Sequence, residues 1–192
     1  MLRPPRDSRT DRLVSLKTVT YIGAAGISEA LVCMAAYFVS FSHYGVTPSD
    51  LVLTADTYWK SDAPNFTASD GSVYDADAQV AMLIQAQTAW FAMLTTCQSV
   101  HIFMCKTRLT SLFNSELLWS NSQMNLSAIV EILLITIIVF TPISHSYFAQ
   151  APPGRVWYFL IFNFFIMILL NEPRKYFARR YPQGFVRQKL IF

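Results

Sequence analysis

Three ionisable residues, Glu29, His101 and Glu131, stand inside stretches that are otherwise apolar. Such a residue is costly in an apolar helix unless it meets a partner or a transported ion, so each is a candidate functional group. His101 lies in "TTCQSVHIFMCKTR", residues 95–108, where an apolar run ends in a basic patch. Gln98 is three residues earlier and shares its helix face. Ionisable side chains in such helices can carry a proton or meet a transported ion. His101 precedes Cys105 by four residues, about 6 Å of helix. Glu131 follows Asn125 by six, about 9 Å. Both depths count from the same membrane face, so His101 and Glu131 can meet if the second and third apolar helices are neighbours. Glu29 lies nearer mid-membrane.

These groups need long apolar helices to hold them. The chain has 192 residues, 53% of them hydrophobic and only 14% charged, with a mean hydropathy of +0.34. That composition places it among integral membrane proteins. Four runs approach the roughly 20 residues that a membrane-crossing helix needs: 19–41, 80–105, 126–143 and 156–176. The expected fold is all-α, a polytopic membrane protein of four antiparallel transmembrane helices. Residues 1–17 form a basic cytosolic segment, 18–176 the transmembrane domain, and 177–192 a basic cytosolic tail. The first run has too long a polar lead and too long an apolar core for a cleaved signal peptide.

Charge sets the expected orientation. Thirteen of the fifteen basic residues fall before the first span, after the second or after the fourth. Loop 43–78 carries six aspartates. The excess of basic residues marks the cytosolic side, so both termini are expected there and the acidic loop outside, in a multi-pass protein of the cell membrane. On that topology Asn65 of "NFT" is a glycosylation candidate, whereas Asn125 of "NLS" faces the cytosol. Loop 43–78 reads as irregular with at most a short helix. Loop 106–124 places Leu112, Phe113, Leu117 and Leu118 at helical spacing along the membrane.

Other chemistries find no support. Cys33, Cys97 and Cys105 lie in or beside apolar runs, read as buried thiols, and show no zinc-ligand spacing. His43 and His145 have no third ligand beside them. Trp90, Trp119 and Trp157 are belt or core aromatics. Gly23 and Gly26, among alanines, give the first span a smooth face for close helix packing. A net charge of +3 is too small to point to nucleic acid. No phosphate-cradling glycine loop or nucleophile elbow is present, so no catalytic residue, cofactor site or metal site is expected.

Several motifs resemble the last four membrane helices of the alpha subunits of sodium/potassium- and proton/potassium-exchanging P-type ATPases. "RPPRDSRTDRLVS" is similar to the link before the family's seventh helix, and "EALVCMAAYFV" with "GVTPSDL" to that helix and its exit. "QTAWF" and "CKTRLTSLF" resemble the eighth helix and its exit, and "NEPRKYFARRYPQGFV" the end of the tenth helix and the tail. In that family an extra sodium site uses a Gln and an Asp on the eighth helix and a Glu on the ninth. Gln98 and Glu131 match the Gln and the Glu, and His101 stands at the Asp. Glu29 falls where the family usually has Gln, and Asn171 replaces an Asp of the tail. "SDGSVY", residues 69–74, shares only a Ser, a Gly and a final aromatic with the family's contact for a beta-type subunit.

The resemblance implies the C-terminal membrane portion of an ATP-driven pump for monovalent cations. It would contribute support helices and a modified extra cation site. Na+ or K+ would be transported, while ATP and Mg2+ would bind elsewhere. No ATP hydrolysis is expected of this chain alone, since it carries no Asp-Lys-Thr-Gly-Thr phosphorylation loop. The partners implied are the lipid bilayer, the remaining helices and cytosolic domains of the pump, and a beta-type subunit. His101 replaces an anion, so a sodium ion between Gln98, His101 and Glu131 is disfavoured and a pump built on this chain should move less charge per cycle. Two alternatives are a stand-alone four-span protein that docks onto a pump or other membrane partner, and a small proton-conducting transporter using Glu29, His101 and Glu131.

Overall fold

The computed structural model describes residues 16–107, 109–113, 119–152, 154 and 157–189. Helix α1 spans Leu16–Ser42 and α2 spans Ala76–Lys106. They are followed by α3 (Ser122–Phe140), the short α4 (Pro142–Phe148), α5 (Trp157–Arg180) and the short α6 (Phe185–Lys189). This is an all-α membrane fold. Among the described residues α1, α2 and α3 are long and apolar enough to cross a bilayer. α5 has the length as well, 24 residues, but its last two turns carry Arg174, Lys175, Arg179 and Arg180.

α2 is the hub, packed against α1, α3 and α5. At 31 residues it is about 46 Å long. Its contact face is built from small residues, including Ala86, Ala89, Ala92 and Ser99, all buried, which lets neighbouring backbones approach closely. The core between the helices joins Cys33 and Ala36 of α1 to Met93, Cys97, Val100 and Met104 of α2 and to Met167 of α5. Cys33 and Cys97 are buried free thiols, as expected, but Cys105 is only half-buried. The expected smooth face behaves differently. A Cβ at Gly23 or Gly26 would meet nothing within 4 Å, so these glycines look outward from the described bundle.

The ends assigned to one membrane side by charge lie together in space. Tyr21, near the start of α1, has its hydroxyl 3.6 Å from Cys105 Sγ at the end of α2. Near the C-terminus of α5, Arg179 Nη1 donates to the Leu109 carbonyl at 2.6 Å.

Two boundaries differ from the sequence reading. The expected third span, 126–143, stops at Phe140 because Pro142 brings no N–H and holds Thr141 in extended backbone (ψ 123). The chain re-enters helix with Pro142 in the first turn. His145 Nε2 donates to the Val139 carbonyl at 2.8 Å, across the break. Beyond α2, Leu112 is buried while Phe113 is exposed, so the two do not share a membrane face. Leu117 and Leu118 lie outside the described residues, as do residues 1–15.

Loop 43–78 is more ordered than its turn-rich composition suggests. A 3-10 turn at Pro48–Leu51 and a two-stranded hairpin, β1 (Phe66–Thr67) and β2 (Val73–Tyr74), fold over the end of α1 and the start of α2. Phe41, Val46, Phe66, Ala68, Met82 and Ala86 form its core, with Tyr44, Tyr58, Trp59 and Tyr74 packed around them. Asp50 accepts from the Ser69 hydroxyl at 2.6 Å and from the Thr47 N–H at 2.9 Å. These bonds, the Ser69 hydroxyl foremost, hold the Asp50 carboxyl below the usual carboxylate range. Gly45 sits at φ +70 against the Asp70 carboxylate, a left-handed turn conformation that favours glycine. Gln79 is fully buried and ties the loop to α2. Its Nε2 donates to the carbonyls of Pro64 (2.8 Å) and Tyr74 (3.1 Å), and its Oε1 accepts from the Trp59 N–H (3.2 Å). Asn65 is exposed immediately before β1.

Candidate functional site: an ion pair between α1 and α2

The expected set of Gln98, His101 and Glu131 is not drawn together. His101 faces α1, where its Nδ1 lies 2.7 Å from Glu29 Oε1. The two atoms are within bonding reach, although the ring is not aligned as in a regular hydrogen bond. Glu131 faces α2 from the other side and accepts a hydrogen bond from the Ser99 hydroxyl at 2.6 Å. Gln98 is exposed between them.

Helix geometry explains the separation. Ser99 and His101 are two residues apart, which puts them about 160° apart around the axis of α2. A carboxylate that reaches Ser99 therefore cannot also reach His101. Depth alone made His101 and Glu131 seem compatible, but azimuth decides the partner. The signal for Glu29 was present in the sequence as an unexplained carboxylate in the first span. In antiparallel helices, side chains lean toward each helix's own N-terminus, so Glu29 and His101 lean toward each other.

The surroundings of the pair are polar toward the basic end. Tyr21 OH is 3.4 Å from His101 Nε2. The Arg174 guanidinium of α5 sits over the Tyr21 ring, 4.5 Å from its centroid, a cation–π arrangement. A cavity of about 190 Å³ opens here, lined by Tyr21, Ser28, His101, Asn171 and Arg174 and by apolar residues including Met167. The Glu29 and His101 side chains are 16% and 24% exposed, so the pair is shielded but not sealed. Glu131 belongs to a different cavity, about 460 Å³ between α2 and α3, whose lining is largely apolar. Among the described residues no cluster of three or more His, Cys, Asp or Glu could hold a metal ion.

A second polar assembly was read from sequence only as part of a basic tail. Lys175 of α5 is fully buried. Its Nζ donates to Thr107 Oγ1 at 2.6 Å and lies 3.2 Å from Glu172 Oε1. Glu172 in turn accepts from the Leu112 N–H and the Ser111 hydroxyl, both at 2.9 Å. The end of α5 thus clasps the chain that leaves α2, in the two segments where the "CKTR" and "NEPRKYFARR" motifs lie. The spacing of Glu172 and Lys175, three apart on one helix face, was the available signal.

A sequence profile described as "Cation transporting ATPase, C-terminus" matches residues 1–177. The chain belongs to this family. Its relatives include the sodium/potassium-transporting ATPase subunit alpha-B of Artemia franciscana, 29% identical over 195 aligned positions. That alignment covers all of this chain and 19% of the relative. The corresponding alpha subunit of Drosophila melanogaster is 27% identical, with 100% of this chain and 18% of the relative covered. The alpha-2 subunit of Homo sapiens is 28% identical, with 100% and 19% covered. The chain therefore spans about a fifth of the length of these relatives, and corresponds to the family's C-terminal membrane segment. His101 and Glu29, the two positions at which the resemblance implied other residues, contact each other.

Proposed function

We propose that this chain serves as the C-terminal membrane support of an ATP-driven pump for monovalent cations, with the extra cation site replaced by an internal Glu29–His101 pair. The observation that carries this reading is the 2.7 Å contact between the two residues. A sodium site needs an uncompensated anion and oxygen ligands. Here the anion has moved from α2 to Glu29 on α1, and His101 stands against it as a built-in partner. Glu131 is engaged by Ser99 and Gln98 is exposed, and neither is in contact with His101. The outward faces support a role beside further helices. Gly23 and Gly26 offer a smooth surface on α1, and Ile22, Ile27 and Leu31 are 61–66% exposed. On this reading both termini face the cytosol, the loop carrying Asn65 faces outward, and a beta-type subunit would meet that loop.

The test is a chimera in which the C-terminal fifth of the Drosophila alpha subunit is exchanged for this chain. Expressed with its partners in oocytes, the chimera should hydrolyse ATP and transport cations, but pump current per ATP hydrolysed should fall by at least half. Current per ATP equal to that of the unmodified subunit would show the extra site intact. A chimera that reaches the surface but does not turn over would show that the chain is not a pump segment.

A further inference from the structure

We propose that Glu29 and His101 hold one exchangeable proton between them, in a site loaded from the basic end of the bundle through the cavity lined by Tyr21, Asn171 and Arg174. This rests on reading the pair as an internal replacement for a bound cation, and it names the ligand as a proton.

Two nearly buried ionisable groups of complementary type at 2.7 Å are most stable when they share a single proton. An ionised carboxylate beside a neutral imidazole would leave a bare charge in an apolar bundle, and a protonated carboxylic acid beside an imidazolium would do the same. With one proton, held on the imidazole, the pair is neutral overall: an imidazolium beside a carboxylate. The groups facing the pair, among the described residues, include Tyr21 and Cys33 from α1, Cys105 from α2, and Asn171 and Arg174 from α5. Arg174 opposes a second positive charge, but it is turned to the face of the Tyr21 ring. Glu29 is the carboxylate in contact with the ring. The other ring nitrogen, Nε2, looks to the Tyr21 hydroxyl at 3.4 Å. That hydroxyl can accept a proton from the ring and pass another to water in the cavity, with no net change in its own charge. A cavity of about 190 Å³ has room for several waters. Glu131, on the opposite face of α2, takes no part.

The experiment is nitrogen NMR of the full chain, labelled at histidine, in phospholipid bilayers at pH 7.5. The three histidine signals are assigned with His101→Gln and His43→Gln. His101 should show both ring nitrogens protonated, and Glu29→Gln, which preserves size and shape, should convert it to a neutral imidazole. Ala25 lines the same cavity, and in Ala25→Leu, which narrows it, exchange of the His101 ring proton with D2O should slow at least tenfold. A neutral His101 in the unaltered chain, or an imidazolium that survives Glu29→Gln, overturns the site. Exchange unchanged in an Ala25→Leu protein whose backbone spectrum is native overturns the route. The outcome is independent of the pump chimera: a shared proton here with unchanged current per ATP there would sink the transport reading and leave the proton site standing.

Discussion

Lys175→Ala should lower the unfolding free energy of the chain by about 3–5 kcal/mol, the usual loss when one partner of a buried ion pair is removed. The ammonium is fully buried and joins three elements: α5 through Glu172, the end of α2 through Thr107, and the exit segment through the residues that Glu172 holds. Truncation leaves Glu172 without its cation and opens a space beside Met104, whose sulfur lies 3.5 Å from Nζ. Lys175→Met separates the two effects, because it fills the space without supplying charge. It should recover part of the loss but not all. Both are read by reversible unfolding in mixed micelles. A loss under about 1 kcal/mol for Lys175→Ala would mean that the pair is worth no more than a surface contact.

Gln79→Ala should cost about 2–3 kcal/mol, since three hydrogen bonds end on this one fully buried amide and their partners would be left less well satisfied. The damage should be local. Gln79 belongs to the first turn of α2 and its partners belong to the outer loop, so the helices can persist while the loop opens. Hydrogen exchange should quicken across residues 58–75 by at least tenfold and stay unchanged around Met93 and Met104. Uniform acceleration along the whole chain would show that the loop and the bundle unfold as one unit.

The helices were legible in the sequence because apolar length and basic flanks are properties of composition, and composition survives without tertiary information. Grouping the start of α1 with the ends of α2 and α5 followed from Arg and Lys counts alone. Partner choice across the interfaces was not legible in the same way. His101 and Glu131 matched in depth, but the rotation that sends Ser99 to one neighbour and His101 to the other depends on which face of α2 each helix occupies. The same holds for the acidic loop: its aspartates and turn residues suggested irregular chain, while Phe66, Trp59 and Tyr58 gathered on Phe41 to make a core of their own. Pro142 was a visible breaker inside the expected third span, and its consequence follows from its missing N–H. Lys175 looked like one of several basic residues in a tail, and only the burial of its ammonium sets it apart.

The central claim is that His101 has Glu29, and not Glu131, as its partner. A pair of double-mutant cycles on the full chain in mixed micelles tests it most directly, using Glu29→Gln, Glu131→Gln and His101→Gln singly and in combination. Glu29 and His101 should couple by about 2 kcal/mol, within the range for residues in direct contact. Glu131 and His101 should be additive within about 0.5 kcal/mol, as for residues that share no partner. Coupling of His101 to Glu131 with independence from Glu29 would contradict the claim.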